Sequence, residues 1–298
     1  MTATAPPRPL WLVPAPFLFL GFWSSGFAFA KLGLAHADPL TCLVLRYVGV
    51  LLVLAPVLAV LRPALPPPRV LLHAGIVGVL IQGAYFGLSY VAMARDIAAG
   101  AVALIVSLQP ILVGLLAPRL VGETVTLARW AGLVLGLAGA AAVIVARSAV
   151  EVVDGWAVLA AVGALAAITA GTLWEKRFGV AAHPMALSAI QFIAGLAVLA
   201  PLAWGAEGFA FTPHPELWLA VGYLVVANSL ISLTLLLAMI RHGEVARVSS
   251  LFFLVPPTAA LIAWGVIGEV MPPVAWIGMG VAAAGVAIAV RAEPRRRA

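Results

Sequence analysis

The side chains able to do chemistry are few and widely spaced. Gln82 and Asn228 each place one carboxamide near the centre of a long apolar run, Ser24 and Thr169 place hydroxyls in two further runs, and Arg46 is the cation set deepest inside another. A carboxamide both donates and accepts hydrogen bonds, and a guanidinium offers a planar fork of donors that matches a carboxylate. These groups suit holding a polar ligand rather than breaking bonds. Acid-base work would need a carboxylate or imidazole at similar depth, yet Asp38, Asp96, Asp154, Glu175, Glu207 and Glu216, with the five histidines, fall near the ends of the apolar runs or between them. An H-E-x-x-H helix, a G-x-S-x-G elbow with a histidine, or a paired-acid metal site would mark an intramembrane enzyme, and the chain has none of these. No catalytic residue, metal or cofactor is expected.

Helical spacing extends the polar positions into a surface. Gln82, Tyr85, Phe86 and Ser89 follow the i, i+3, i+4, i+7 pattern of one helix face, while Gly83 and Gly87 make a small-residue ridge on the adjacent face. Trp23 stands deep in its run beside Ser24 and Ser25, whereas most of the nine tryptophans lie near run ends. With Tyr85, Phe86, Trp174, Phe252 and Phe253 it could form an aromatic wall, although each aromatic taken singly is more commonly a packing residue. Two readings stay open for Gln82 and Asn228: hydrogen-bonding glue between helices, or the lining of a cavity. Two also stay open for Arg46, which either pairs with a ligand carboxylate or extends its head to the nearer membrane interface.

The elements that must carry these residues are membrane helices. Of the 298 residues 64% are hydrophobic and 9% are charged, against about 25% charged in a soluble domain. A span needs roughly 20 mostly apolar residues, and the chain supplies such runs repeatedly. Stretches such as 196–204 and 282–290 are apolar on every face, which a barrel strand with alternating faces is not. Proline clusters, glycines and charges divide the chain into expected spans at 10–33, 40–61, 70–93, 98–117, 129–147, 155–175, 185–205, 217–240, 247–267 and 273–291. The first of these, with Ala28-Phe29-Ala30, could instead be read as a secretory signal; its copy later in the chain argues for a retained span. The single Cys42 reads as a small apolar residue, with no cysteine partner. Most Lys and Arg, including Arg8, Arg62, Arg69, Arg129, Lys176, Arg177 and Arg295-Arg296-Arg297, fall on the side of the N-terminus; Lys31, Arg95 and Arg147 fall on the other. The positive-inside rule then puts both termini in the cytoplasm. The net charge of +6 is accounted for by topology and anionic headgroups, with no nucleic-acid partner.

The chain also repeats itself. Ala92-Met93, Arg95, Pro110, Gly122-Glu123, Trp130, Gly132 and Gly139 recur 146 positions later as Ala238-Met239, Arg241, Pro256, Gly268-Glu269, Trp276, Gly278 and Gly285. Earlier, Gly26, Lys31, Pro39 and Val53-Leu54-Ala55-Pro56 recur 145 positions later at Gly171, Lys176, Pro184 and Val198-Leu199-Ala200-Pro201. On this frame Gln82 and Asn228 are mates, as are Ser24 and Thr169, and Glu123 and Glu269, for which structural or gating roles are expected. Residues 1–148 and 149–298 are thus two five-helix units, and an odd number of spans makes the second unit enter from the opposite face. Such inverted repeats are typical of alternating-access transporters with a site near the midplane. Gly26, Gly171, Pro110 and Pro256-Pro257 are places where helices could bend.

Arg95, Ser107-Leu108-Gln109-Pro110, Gly122-Glu123 and Trp130-Ala131-Gly132, with the second copy at Arg241, Leu254-Val255-Pro256, Gly268-Glu269 and Trp276-Ile277-Gly278, resemble the drug/metabolite transporter superfamily, in particular its EamA-type ten-helix exporters. Pro39 with Arg46 also resembles that family's second-helix pattern; the second copy departs from it with Gln191 where Arg46 stands in the first. The resemblance implies an all-α integral membrane protein of ten transmembrane helices in two inverted repeats, in a bacterial inner membrane, exporting a small-molecule substrate. Amino acids are the implied class, aromatic ones among them; drug or other metabolite efflux is the alternative. A site of Trp23, Ser24, Arg46, Gln82, Tyr85, Phe86, Thr169, Trp174, Asn228 and Phe253 is expected, working as a monomer with membrane lipid as its surround. A channel would more naturally carry charged or carbonyl rings about one pore. With no acid at mid-membrane, uncoupled or weakly proton-linked export is expected.

Overall fold

The computed structural model describes residues 14–121, 127–148, 154–179, 182–241 and 251–291. Among them the chain is helical, apart from one isolated β-bridge between Ala37 and Phe211. Helices α1 (Ala15–Leu34), α2 (Pro39–Leu61) and α3 (Pro68–Ala94) are followed by two shorter ones, α4 (Ala99–Val106) and α5 (Gln109–Val121), and then by α6 (Leu127–Ser148). The second half continues with α7 (Gly155–Phe178), α8 (Pro184–Glu207) and α9, which joins Pro215–Tyr223, a π-helical segment Leu224–Ile231 and Ser232–Arg241. A 3₁₀ turn Phe252–Leu254 leads into α10 (Val255–Ile267), and α11 is Pro273–Arg291. Six of these helices, α1, α2, α3, α7, α8 and the Pro215–Leu236 part of α9, are long and apolar enough to cross a membrane. Large apolar side chains such as Leu52, Val60, Trp204 and Ile277 are exposed on the outside of the bundle, the reverse of what water would permit.

Helix starts follow proline. Pro39, Pro68, Pro184, Pro215 and Pro273 each occupy the first helical position, where the missing N–H costs nothing because that donor has no intrahelical partner. Proline further in has the opposite effect. The expected span 98–117 is divided at Ser107-Leu108, because Pro110 cannot donate to the Val106 carbonyl, and at the break the Ser107 hydroxyl donates to the Leu104 carbonyl, 2.6 Å away. Its repeat counterpart Pro256 stands one residue inside α10, directly after the 3₁₀ turn. Neither break is visible in hydropathy alone.

The long helices α3 and α9 share a second irregularity. Each widens into a π-helical segment, Val79–Tyr85 in α3 and Leu224–Ile231 in α9, and the two lie at repeat-related positions around Gln82 and Asn228. In the second, the Ser232 hydroxyl donates to the Ala227 carbonyl at 3.0 Å. An extra residue in a turn shifts the faces presented before and after it, and such bulges concentrate at functional sites.

The two halves pack reciprocally. Helix α1 lies against α9 and α10, while its repeat counterpart α7 lies against α3, α4 and α5; α2 packs on its own counterpart α8, and α6 on α11. The last pair is close. A Cβ at Gly139 of α6 would stand 2.5 Å from the Gly278 carbonyl oxygen of α11, and one at Gly285 of α11 would stand 2.7 Å from the Gly132 carbonyl oxygen of α6. Each of these contacts is the repeat image of the other, as a two-fold relation between the halves requires.

Candidate functional site

A cavity of about 450 Å³ lies inside the bundle, lined by α1, α2, α3, α7, α8 and α9. That volume falls within the range of small-molecule sites. Its lining runs from Ser89, Tyr90 and Met93 on α3, past Trp23, Arg46, Gln82 and Asn228, to Glu175 on α7 and Pro184 and Leu187 at the start of α8.

Arg46 is the centre of its polar chemistry. The side chain is buried and turned into the bundle, which excludes the alternative in which it extends to the membrane interface. Its Nε donates to the Ser229 hydroxyl at 3.2 Å, one terminal nitrogen donates to the same hydroxyl at 3.0 Å and to Asn228 Oδ1 at 2.8 Å, and the other reaches the Tyr90 hydroxyl at 3.3 Å. The guanidinium carbon stands 4.7 Å from the centroid of the Phe86 ring, within cation–π range. Every partner is neutral, and among the described residues no carboxylate lies within ion-pair distance of Arg46. A buried cation without a countercharge is costly.

The repeat mates Asn228 and Gln82 do different work. Asn228 is committed: its Oδ1 accepts from Arg46, and its Nδ2 donates to the Phe22 and Trp23 carbonyls of α1 at 3.0 and 3.2 Å. Close approach of α9 to α1 here requires Gly26, since a Cβ at that position would collide with the Asn228 carboxamide. The Gln82 side chain is uncommitted. Its backbone carbonyl accepts from the Tyr47 hydroxyl at 2.7 Å, while its buried Oε1 has no hydrogen-bond partner, and the buried Ser89 hydroxyl on the same face is also without one. Buried polar atoms left unpaired inside a cavity are ready acceptors for a bound ligand.

Trp23, Arg46, Gln82, Tyr85, Phe86 and Asn228 therefore share one cavity. Other expected site residues go elsewhere. Ser24 is fully buried away from it, and the Thr169 hydroxyl is spent on the Leu165 carbonyl of its own helix at 2.7 Å. Trp174 packs 4.7 Å from Phe178 and beside His73, around a separate pocket of about 10 Å³, which has room for about one water. The side chain of Phe253 lies outside the described residues, as does Glu123. Tyr90, Thr172, Ser188, Phe192 and Ser229 line the cavity without having been singled out from sequence, and so does Gln191, the repeat counterpart of Arg46. Glu175 stands exposed where α7 ends. By helical rise it is about 30 Å along α7, against about 10 Å for Arg46 along α2 from the same end of the bundle, so one small ligand does not touch both.

The end of the bundle opposite Glu175 is tied together. Lys31 of α1 pairs with Glu269 at 2.6 Å and donates to the Ile97 carbonyl at 3.3 Å, and the second Glu269 oxygen accepts from the Ala99 N–H at the start of α4. Gly268, in the left-handed conformation at φ 68°, turns the chain out of α10 and brings Glu269 into place. Glu207 caps α2 from the end of α8, accepting from Leu40 N, Thr41 N and the Thr41 hydroxyl at 2.7–2.9 Å.

Residues 12–145 and 155–291 each match the model of the EamA-like transporter family. The chain is 26% identical over 272 residues to the "uncharacterized inner membrane transporter YedA" of Escherichia coli K12, covering 91% of this chain and 87% of that protein. It is 31% identical over 203 residues to the "probable terminal-alkyne amino-acid exporter" of Streptantibioticus cattleyicolor, 67% of this chain and 66% of that one. A solved crystal structure shares the fold at TM-score 0.66 and 20% identity, over 96% of this chain and all of the other. Two family matches spanning both halves, on a helical bundle with an internal cavity, place this protein in the EamA-like transporter family, within the drug/metabolite transporter superfamily.

Proposed function

We propose that this transporter exports small metabolites that carry a carboxylate, amino acids and aromatic ones among them, by alternating access around the cavity. The observation that carries the reading is Arg46: a buried guanidinium on the cavity wall with only neutral partners. A substrate carboxylate supplies the missing countercharge, and a charge-assisted hydrogen bond of that kind contributes about 1.5–3 kcal/mol. Trp23, Tyr85, Phe86 and Phe192 offer the aromatic surface that an apolar or aromatic side chain would meet. Similarity to an amino-acid exporter points the same way.

In this reading α4 with α5, and the 3₁₀ turn with α10, each count as one interrupted span, giving ten spans in two inverted units, residues 1–148 and 149–298. The chain lies in an inner membrane with both termini in the cytoplasm and acts as a monomer in lipid. The tied end then faces outward and the Glu175 end inward, so the conformation is the one that loads substrate from the cytoplasm. The test is flux from liposomes holding the purified protein, screened across amino acids with and without a proton gradient. Saturable flux, competed by a second amino acid and persisting without the gradient, is expected. A non-saturating ion current, or flux strictly dependent on the gradient, would contradict the carrier or the uncoupled mechanism respectively.

A further inference from the structure

We propose that His36, His214 and Glu216 form a binding site for a divalent transition ion, zinc by its donor set, at the tied end of the bundle. The three side chains come from two places far apart in sequence, the α1–α2 turn and the start of α9, and their ligand atoms lie within 4.8 Å of one another. His36 Nε2 stands 2.9 Å and His214 Nδ1 3.9 Å from the same oxygen of Glu216, Oε2. Two ligands about 2.0–2.1 Å from a tetrahedral zinc sit about 3.3 Å apart, and the two distances bracket that value. Two imidazoles and one carboxylate, with the fourth position left to water, are a donor set that zinc accepts.

The site is held together by the backbone around it. The loops that carry it are fixed to each other through backbone, by Thr212 N donating to the His36 carbonyl at 2.7 Å and Asp38 N donating to the Ala210 carbonyl at 3.2 Å. The Glu216 N–H donates to His214 Nδ1 at 3.3 Å, so that nitrogen is unprotonated, and a bound ion takes its lone pair in place of this long hydrogen bond. The rings of His36 and His214 stack, with centroids 4.2 Å apart and planes 17° from parallel, so one ring turns about its Cβ–Cγ bond for both lone pairs to meet the ion. The nearby Glu207 is already spent on the start of α2. A metal here clamps the α1–α2 turn to the α8–α9 connection. On the function proposed above it therefore holds the transporter shut at this end and slows transport.

Binding is measured apart from transport, so the two proposals fail separately. Zinc is titrated calorimetrically into tag-free protein in detergent, for the wild type and for His36→Gln, His214→Asn and Glu216→Gln, the asparagine being chosen because it still caps α9. One zinc per chain is expected, raising the wild-type melting temperature. Each variant, with its zinc-free melting curve unchanged, should lose more than the ~10- to 100-fold in affinity typical of losing an outer-shell partner. Zinc-edge absorption should report nitrogen and oxygen neighbours with an imidazole signature. Absence of saturable binding, equal affinity in the variants, or a sulfur-bearing shell would overturn the site.

Discussion

Arg46 shows how far a single residue can be read from sequence and where structure takes over. Its depth was legible; its direction was not, because the groups that turn it inward, Ser229, Asn228 and Tyr90, come from other helices and two of them from the opposite half of the chain. Gln191 could have been found earlier, since the repeat offset already paired it with Arg46. Gln82 and Asn228 are the instructive case: repeat symmetry made them equivalent, and their partners make them different. Replacing Gln82 with Ala removes an unpaired cavity acceptor, so transport should fall at least several-fold while the melting temperature barely moves. Replacing Asn228 with Ala breaks bonds to α1 and to the buried guanidinium, a loss of about 1–3 kcal/mol by the cost of stranding buried polar groups. Asn228→Ala should therefore melt measurably lower in detergent and transport poorly. Equal melting temperatures for the two variants would reject the division of labour.

At the scale of elements, periodicity and proline located most helices to within a few residues, because a run of apolar residues bounded by proline has few other solutions in lipid. What periodicity could not reveal were the departures from regular helix. The π-helical segments around Gln82 and Asn228 and the break after Val106 arise from tertiary packing and from missing backbone donors, to which average hydropathy is blind. The ion pair of Lys31 with Glu269 also needed three dimensions, though the Glu was marked for a structural or gating role. It joins α1, the turn after α10 and the start of α4 on one side of the cavity. If that junction opens in each transport cycle, reversing one charge should slow transport, and the double swap Lys31→Glu with Glu269→Lys should recover a substantial part of the rate. Double and single variants of equal rate would assign the pair to fixed scaffolding instead.

For the molecule as a whole, composition settled the membrane class and the repeat settled where to look, yet the cavity is an emergent property of six helices meeting. Ser24 and Thr169 illustrate the limit: mates in sequence and both polar, they face packing rather than cavity, the Thr169 hydroxyl bonding its own helix and the buried Ser24 hydroxyl having no partner. The carboxylate-binding role proposed for Arg46 unites the fold, the cavity and the proposed export. Its most direct test compares, in liposomes, competition of phenylalanine flux by unlabelled phenylalanine and by phenylalaninamide, which differs in lacking the carboxylate. The wild type should prefer the carboxylate by about 10- to 100-fold, as a charge-assisted hydrogen bond implies. The Arg46→Gln variant, still folded and still able to carry flux at raised concentration, should lose that preference. An undiminished preference in Arg46→Gln would contradict the account.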